Sequence, residues 1–239
     1  MLLLDDWRCE GSSHGGCSRL CTLMWKSAWL KPVDGHSREP ARGGGEAEAA
    51  WPYPTRTDGG AYQCQATDLL QATAQMSVAE KLGRALADVA TGEWGLGAFL
   101  KAYARAVCYR MRSLYGRFVG RVQHAQPTPT ETLALQPGEW VETKSVREIT
   151  ATLDQNHKNR GLLFSVYMLP FCGGRYRVKA RMGKFIDEHT GNMKELANTV
   201  ILEGVTCSGE TPSGKCRRAE CHYWREIWLK RAGNPGERQ

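Results

Sequence analysis

The chain has 239 residues, 41% of them apolar and 24% charged, with a net charge of +7. That length admits one large domain or two small ones, and the modest apolar share leaves room for linker. No run approaches the roughly 18 apolar residues of a membrane span, and the acidic opening MLLLDDWRC lacks the basic start and long apolar core of a secretory signal, so a cytoplasmic setting is expected.

Residues 1–31 carry WRCEGSSHGGCSRLCTLMWKSAWLK, in which Cys9, Cys17 and Cys21 precede W-x3-W-L-K. Residues 32–61 are rich in Gly, Pro and charge and read as a flexible linker. Residues 62–124 read as helical. Ser77 and Glu80 form an S-x-x-E capping box, which predicts a helix start there and an end near Thr91, broken by TGEWG. A second helix is expected from Leu96 to Val122. Phe99, Tyr103, Val107, Met111, Leu114 and Phe118 recur on it at helical spacing, and Lys101, Arg105, Arg110, Arg112, Arg117 and Arg121 make it basic. A core-facing stripe with a solvated basic face is the preferred reading over a membrane or nucleic-acid surface. Cys108, beside the stripe, reads as a small core residue.

Prolines at 127, 129 and 137 mark residues 125–137 as a second linker. Residues 138–231 read as β-rich. GEWVETK and RYRVKARM alternate apolar and polar residues, KFID and TVILEGV are further strands, and EHTGN is a turn. Ser145 and Glu148 cap one short helix. Short strands with tight turns predict a small SH3-like barrel, and residues 232–239 are a tail. The expected class is α+β: the barrel closed by a Trp-bearing helix, a helical middle segment, and an N-terminal remnant of a second such module.

The remnant is inferred from an internal repeat. The stretch VTCSGETPSGKCRRAECHYWREIWLK matches the N-terminal motif: Trp25 with Trp224, Trp29 with Trp228, Leu30 with Leu229, Lys31 with Lys230 and Cys17 with Cys216. One inserted residue then pairs Cys9 with Cys207, each followed by x-Gly. In this reading the first cysteine closes a strand, a Gly-containing loop turns the chain, and the next cysteine starts a helix whose tryptophans pack on the barrel. A helix over Cys17 and Cys21 would put both sulfurs on one face.

Clustered thiols in a reducing compartment point to a metal. The best ligands are Cys172, Cys207 and Cys216, followed by Cys9, Cys17 and Cys21, with Cys64 as a fourth; Cys221, Glu220 and His222 also compete for the fourth place in the second copy. His14 is a weaker candidate, because a turn histidine beside two glycines is seldom a ligand. Zinc is expected, with iron or an iron–sulfur cluster as the alternative. No C-x2-C pair occurs, so buried or disulfide-bonded cysteines and a reactive thiol stay as competing readings.

Together these motifs, with AYQCQATDLLQAT, ITATLDQNHKNRGLLF and YMLPFCGGRYRV, resemble an uncharacterised bacterial family of two-module proteins encoded among biosynthetic genes, often for polysaccharides or secondary metabolites. The resemblance covers most of the chain outside residues 32–61. It implies an organisation in which each cysteine–tryptophan motif follows its own barrel, so the first module here looks shortened by about one barrel. It also implies an aromatic residue where Cys221 stands, which weakens Cys221 as a ligand.

No P-loop, G-x-G-x-x-G or G-x-S-x-G motif occurs, and the polar loop around His157 reads as an exposed turn. The leading expectation is a metal-binding accessory protein of a biosynthetic pathway, partnered by a pathway enzyme or a small molecule. A metal-dependent enzyme is the alternative. A nucleic-acid-binding module comes third, because few aromatic residues interleave with the basic ones in the barrel.

Overall fold

A computed structural model describes residues 2–31, 54–118, 128–211, 214–215 and 218–234. In chain order the elements begin with β1 (Leu2–Arg8), β2 (Thr22–Trp25), α1 (Gln65–Gln71), α2 (Val78–Ala90) and α3 (Leu96–Phe118). Next come β3 (Trp140–Thr143), α4 (Val146–Thr150), β4 (Lys158–Asn159), β5 (Leu162–Leu163), β6 (Arg175–Arg181), β7 (Lys184–Ile186), β8 (Met193–Glu195) and β9 (Thr199–Thr206). They are followed by β10 (Glu210–Thr211), β11 (Gly214–Lys215), β12 (Cys221–Arg225) and β13 (Leu229–Arg231). The chain is mixed α and β, and it divides into two compact units: Met1–Thr73 with Lys184–Glu195, and Ala74–Gly183 with Leu196–Gln239.

The second unit is built on one antiparallel sheet in the order β12-β9-β6-β3-β13. Its two edge strands, β12 and β13, are separated in sequence only by the 3-10 turn Glu226–Trp228. A flat sheet would hold those edges about 19 Å apart, at about 4.8 Å per strand. The link from Arg225 to Leu229 reaches about 14 Å at most. The sheet therefore curls into a half-barrel. Val141, Val178, Val200, Leu202 and Val205 line its inside with Trp224 and Trp228, all essentially buried. Each large apolar side chain so buried contributes about 1.5–3 kcal/mol. Trp228 also donates its indole N–H to Thr152 Oγ1 at 3.0 Å, which satisfies its one polar atom.

One stretch read as linker is part of this core. Glu226 is fully buried, and its carboxylate accepts the backbone N–H groups of Leu133 at 2.6 Å, Ala134 at 3.0 Å and Leu135 at 3.1 Å. Arg181 lies 3.6 Å from the same carboxylate. A buried charge needs such partners, and here they hold residues 128–136 as a strap whose Leu135 is fully buried. The prolines exclude a helix there, as expected, without making the segment a loose linker.

The helix starts follow their capping boxes. Ser77 Oγ accepts the Glu80 N–H and the Glu80 carboxylate accepts the Ser77 N–H, and Ser145 with Glu148 repeats the arrangement at α4. α2 and α3 meet at Ala85, Trp94 and Ala102, with Phe99 edge-on to Trp94 at 5.4 Å. This cluster covers only the first turns of α3. Phe99 and Tyr103 are partly covered, whereas Val107 and Met111 are 55% and 63% exposed. Cys108 is exposed too, which corrects its reading as a core residue. The side chains of Leu114 and Phe118, and residues 119–124, lie outside the described residues. The helical stretch is also divided: α1 groups with the first unit, α2 and α3 with the second.

The first unit pairs β1 with β2 and takes the β7–β8 hairpin, even though that hairpin lies within the barrel stretch of the sequence. Ser18 N–H donates to Lys184 O at 2.8 Å and Tyr62 N–H to Gly191 O at 2.8 Å, and Arg19 ion-pairs with Glu188.

The β1–β2 and β9–β12 hairpins share one register. Leu2 faces Trp25, Leu3 faces Met24 and Arg8 faces Thr22. Val200 faces Trp224, Ile201 faces Tyr223 and Thr206 faces Cys221. Both ladders are interrupted by a register shift, and 3-10 turns follow at Ser27–Trp29 and Glu226–Trp228. The expected Trp-bearing helix is corrected in both places. Trp25 and Trp224 sit on strands, and Trp29 and Trp228 on the 3-10 turns. The four-residue tryptophan spacing mimics a helical face, but a neighbouring strand supplies the ladder, and Thr22–Trp25 and Cys221–Arg225 include β-favouring aromatic and branched residues.

Candidate metal centre

Cys9 follows the last residue of β1, and its N–H donates to Cys21 O at 2.9 Å, closing the hairpin. Residues 17–21 are irregular, with Leu20 at φ +54°, so the helical face expected for Cys17 and Cys21 does not form. A tight turn brings the cysteines together instead. Gly11 holds φ +72°, and a Cβ there would stand 1.8 Å from Cys17 O. Only glycine fits that approach, and it seats the backbone of Cys17 directly on the Cys9–Gly11 turn. Cys17 is buried. The Gly11 N–H donates to the Cys9 thiol. His14 sits one turn on, its N–H bonded to Gly11 O and its Nδ1 3.9 Å from Cys9 Sγ and 3.1 Å from Ser13 Oγ.

Cys64 is held in the same unit by Tyr62 and Gln65 on either side of it. The Tyr62 hydroxyl rests on Gly15, where a Cβ would stand 2.2 Å from it. The Gln65 carboxamide grips β2, donating to Met24 O at 2.7 Å and accepting from Met24 N–H at 2.9 Å. Between them Cys64 caps α1: its N–H donates to Thr67 Oγ1 at 2.9 Å and its thiol faces the Thr67 N–H. The electrostatics agree with this placement. Burial pushes the Cys9 thiol up, the Gly11 N–H pulls it back, and the thiols of Cys17 and Cys64 with the Glu10 carboxylate push it further up. Burial also holds the His14 imidazole below its usual range, in the neutral form that ligates metals.

The second corner repeats the first. Cys207 N–H donates to Glu220 O at 2.8 Å, Gly209 holds φ +70°, and its N–H donates to Cys207 Sγ at 3.4 Å. Around it the arrangement differs. The Tyr167 hydroxyl is pushed up by burial and by the Cys207 thiol, and pulled down by Arg105. Cys172 ends the 3-10 stretch Val166–Phe171 with its thiol 3.7 Å from Met168 O, and burial pushes it up. Cys221 is buried in β12. His222 lies 5.9 Å from Phe171 with its ring tilted by 58°, its buried Nε2 has no partner among the described residues, and burial pushes its pKa down to about 4. Cys216 lies outside the described residues.

Eight cysteines are described and none is disulfide-bonded. Among the described residues no three His, Cys, Asp or Glu side chains stand together at ligand spacing. The candidate set of the first unit is the Cys9–His14 contact with Cys17 and Cys64 of the same unit. Sequence reasoning ranked Cys172, Cys207 and Cys216 above it and set His14 aside. It also missed the N–H to sulfur bond at each corner, although the shared Cys-x-Gly triplet was the available signal.

Comparison with known proteins finds no match among family models, curated proteins or solved structures.

Proposed function

We propose that the chain is a cysteine-thiolate metal-binding protein, with zinc in the first unit holding the irregular loop 9–21 to the start of α1. The observation that carries this reading is the Cys9 corner, where the Gly11 turn packs on the backbone of buried Cys17 and His14 Nδ1 lies 3.9 Å from Cys9 Sγ. The backbone donor at Gly11 offsets part of the upward push that burial gives the Cys9 thiol. A dication supplies the charge that mutually repelling thiolates need, and the thiols give up their protons as it binds. Among the described residues of the first unit the buried apolar side chains are Cys17, Ala66 and Ile186, and a small core is the situation in which a metal contributes most to folding.

The matched registers, the matched 3-10 turns and the recurrence of the corner at Cys207 support the reading of one device used twice. In the second unit the frame is an SH3-like barrel, supported by the strand order and by the 3-10 turn between the last two strands. Cys172 and Cys207 are the described ligands for a second ion there. The role that fits is that of an accessory protein presenting two metal-stabilised modules to a biosynthetic enzyme or its small-molecule substrate, as the family resemblance implies.

Thermal unfolding with and without a strong chelator, under reducing and anaerobic conditions, tests the reading. A transition that falls on chelation and returns on adding zinc is expected. An unchanged melting curve counts against it.

A further inference from the structure

The first centre is a mixed site. We propose that His14 Nδ1 completes it, so that the ligands are Cys9, Cys17, Cys64 and His14, the ion is zinc, and Cys21 serves through its backbone. This deepens the metal reading above and rests on it.

Cys9 Sγ and His14 Nδ1 are 3.9 Å apart. That is at the long, weak end of the range for a hydrogen bond to sulfur. Around tetrahedral zinc, with Zn–S near 2.3 Å and Zn–N near 2.05 Å, a sulfur and a nitrogen stand about 3.6 Å apart. The pair is therefore already spaced as two corners of such a site. The turn that creates the spacing is a built one: the Gly11 carbonyl takes the N–H groups of both His14 and Gly16, so His14 is locked over the Cys9 corner. Ser13 Oγ also lies 3.1 Å from Nδ1, but Ser13 is exposed and its hydroxyl can turn to water.

Charge favours the same choice. Four thiolates on a dication carry a net charge of −2, and three with a neutral imidazole carry −1. Glu10 already places a carboxylate next to Cys9 in the chain, so the ligand set with less negative charge costs less to bury there. Cys21 is fastened differently, its carbonyl taking the Cys9 N–H at 2.9 Å. An imidazole ligand also separates zinc from a four-thiolate iron–sulfur cluster.

The full chain loaded with cadmium-113 gives a nuclear magnetic resonance signal whose shift reports how many sulfurs bind the ion. A three-sulfur, one-nitrogen signal is expected from the first unit. His14→Ala should weaken cadmium and zinc binding at that site by about a hundredfold, near a quarter of the usual structural-zinc free energy. His14→Cys should retain the ion and move the same signal to the four-sulfur range, while Cys21→Ser should leave it in place. A four-sulfur signal in the unaltered chain that Cys21→Ser shifts, and His14→Cys does not, would overturn His14 and leave the metal reading standing. No bound ion in any of these proteins would overturn both.

Discussion

Cys9 donates its backbone N–H to the carbonyl of Cys21, and Cys207 repeats the bond with Glu220. Two strand ends far apart in sequence are thus closed by the same bond, and each is followed by a glycine with φ near +70° whose N–H meets the sulfur. A residue other than glycine there would lose both the conformation and the donor position.

Gly11→Ala should therefore be severe. The backbone penalty for φ +72° is about 1–2 kcal/mol, and the added Cβ overlaps Cys17 O. A loss of about 3 kcal/mol in the first unit is expected once overpacking is included. Denaturant unfolding followed by hydrogen exchange at residues 9–21 reads it. Full retention of stability would mean that the turn is not formed as described.

The two tryptophan turns predict an asymmetry. Trp228 is fully buried, whereas Trp29 is 61% exposed under the Lys26 ammonium. Trp228→Ala should cost about 3–5 kcal/mol, and Trp29→Ala less than about 1 kcal/mol. Equal shifts in urea midpoint would contradict the burial difference.

Glu226→Ala leaves three backbone N–H groups and Arg181 without their acceptor. Breaking a buried ionic network of this kind costs about 3–5 kcal/mol. Glu226→Gln, which keeps one acceptor oxygen, should cost less. Protease cleavage within residues 128–136 should become rapid in Glu226→Ala and stay slow in Glu226→Gln, and a resistant strap in both would rule out its capture by this carboxylate.

The pH dependence rests on His222. Burial pushes its pKa down to about 4, against 6.5 in the open chain. The unfolded state therefore takes up the proton first as acid is added. The contribution of neutral His222 is complete above pH 6.5 and is lost as pH falls through about 4. At about 1.4 kcal/mol per unit this amounts to about 3 kcal/mol at most. His222→Phe, which keeps a ring against Phe171, should flatten the acid limb of stability of the second unit. An unchanged limb would place the acid sensitivity elsewhere.

The parts of the fold legible in sequence are those set by local chemistry. The capping boxes at Ser77 and Ser145 mark their helices, alternation marks β3 and β6, and the apolar run TVILEGV marks β9. The tryptophan motif was misread because a strand followed by a 3-10 turn and a helix both place residues i and i+4 on one side. The strap at 128–136 was not legible, since its partner is a carboxylate roughly 90 residues away. The centre was half legible. Cys9, Cys17 and Cys64 stood out by type, but the contact with His14 depends on a left-handed glycine whose conformation no spacing rule reveals.

Elemental analysis of the full chain, purified without oxygen and with a thiol reductant, tests the central claim most directly when it is run beside Cys9→Ser. The account predicts at least one zinc per chain in the unaltered protein and at least one fewer in Cys9→Ser. A chain that carries no zinc, or one whose zinc content is indifferent to Cys9, would contradict it.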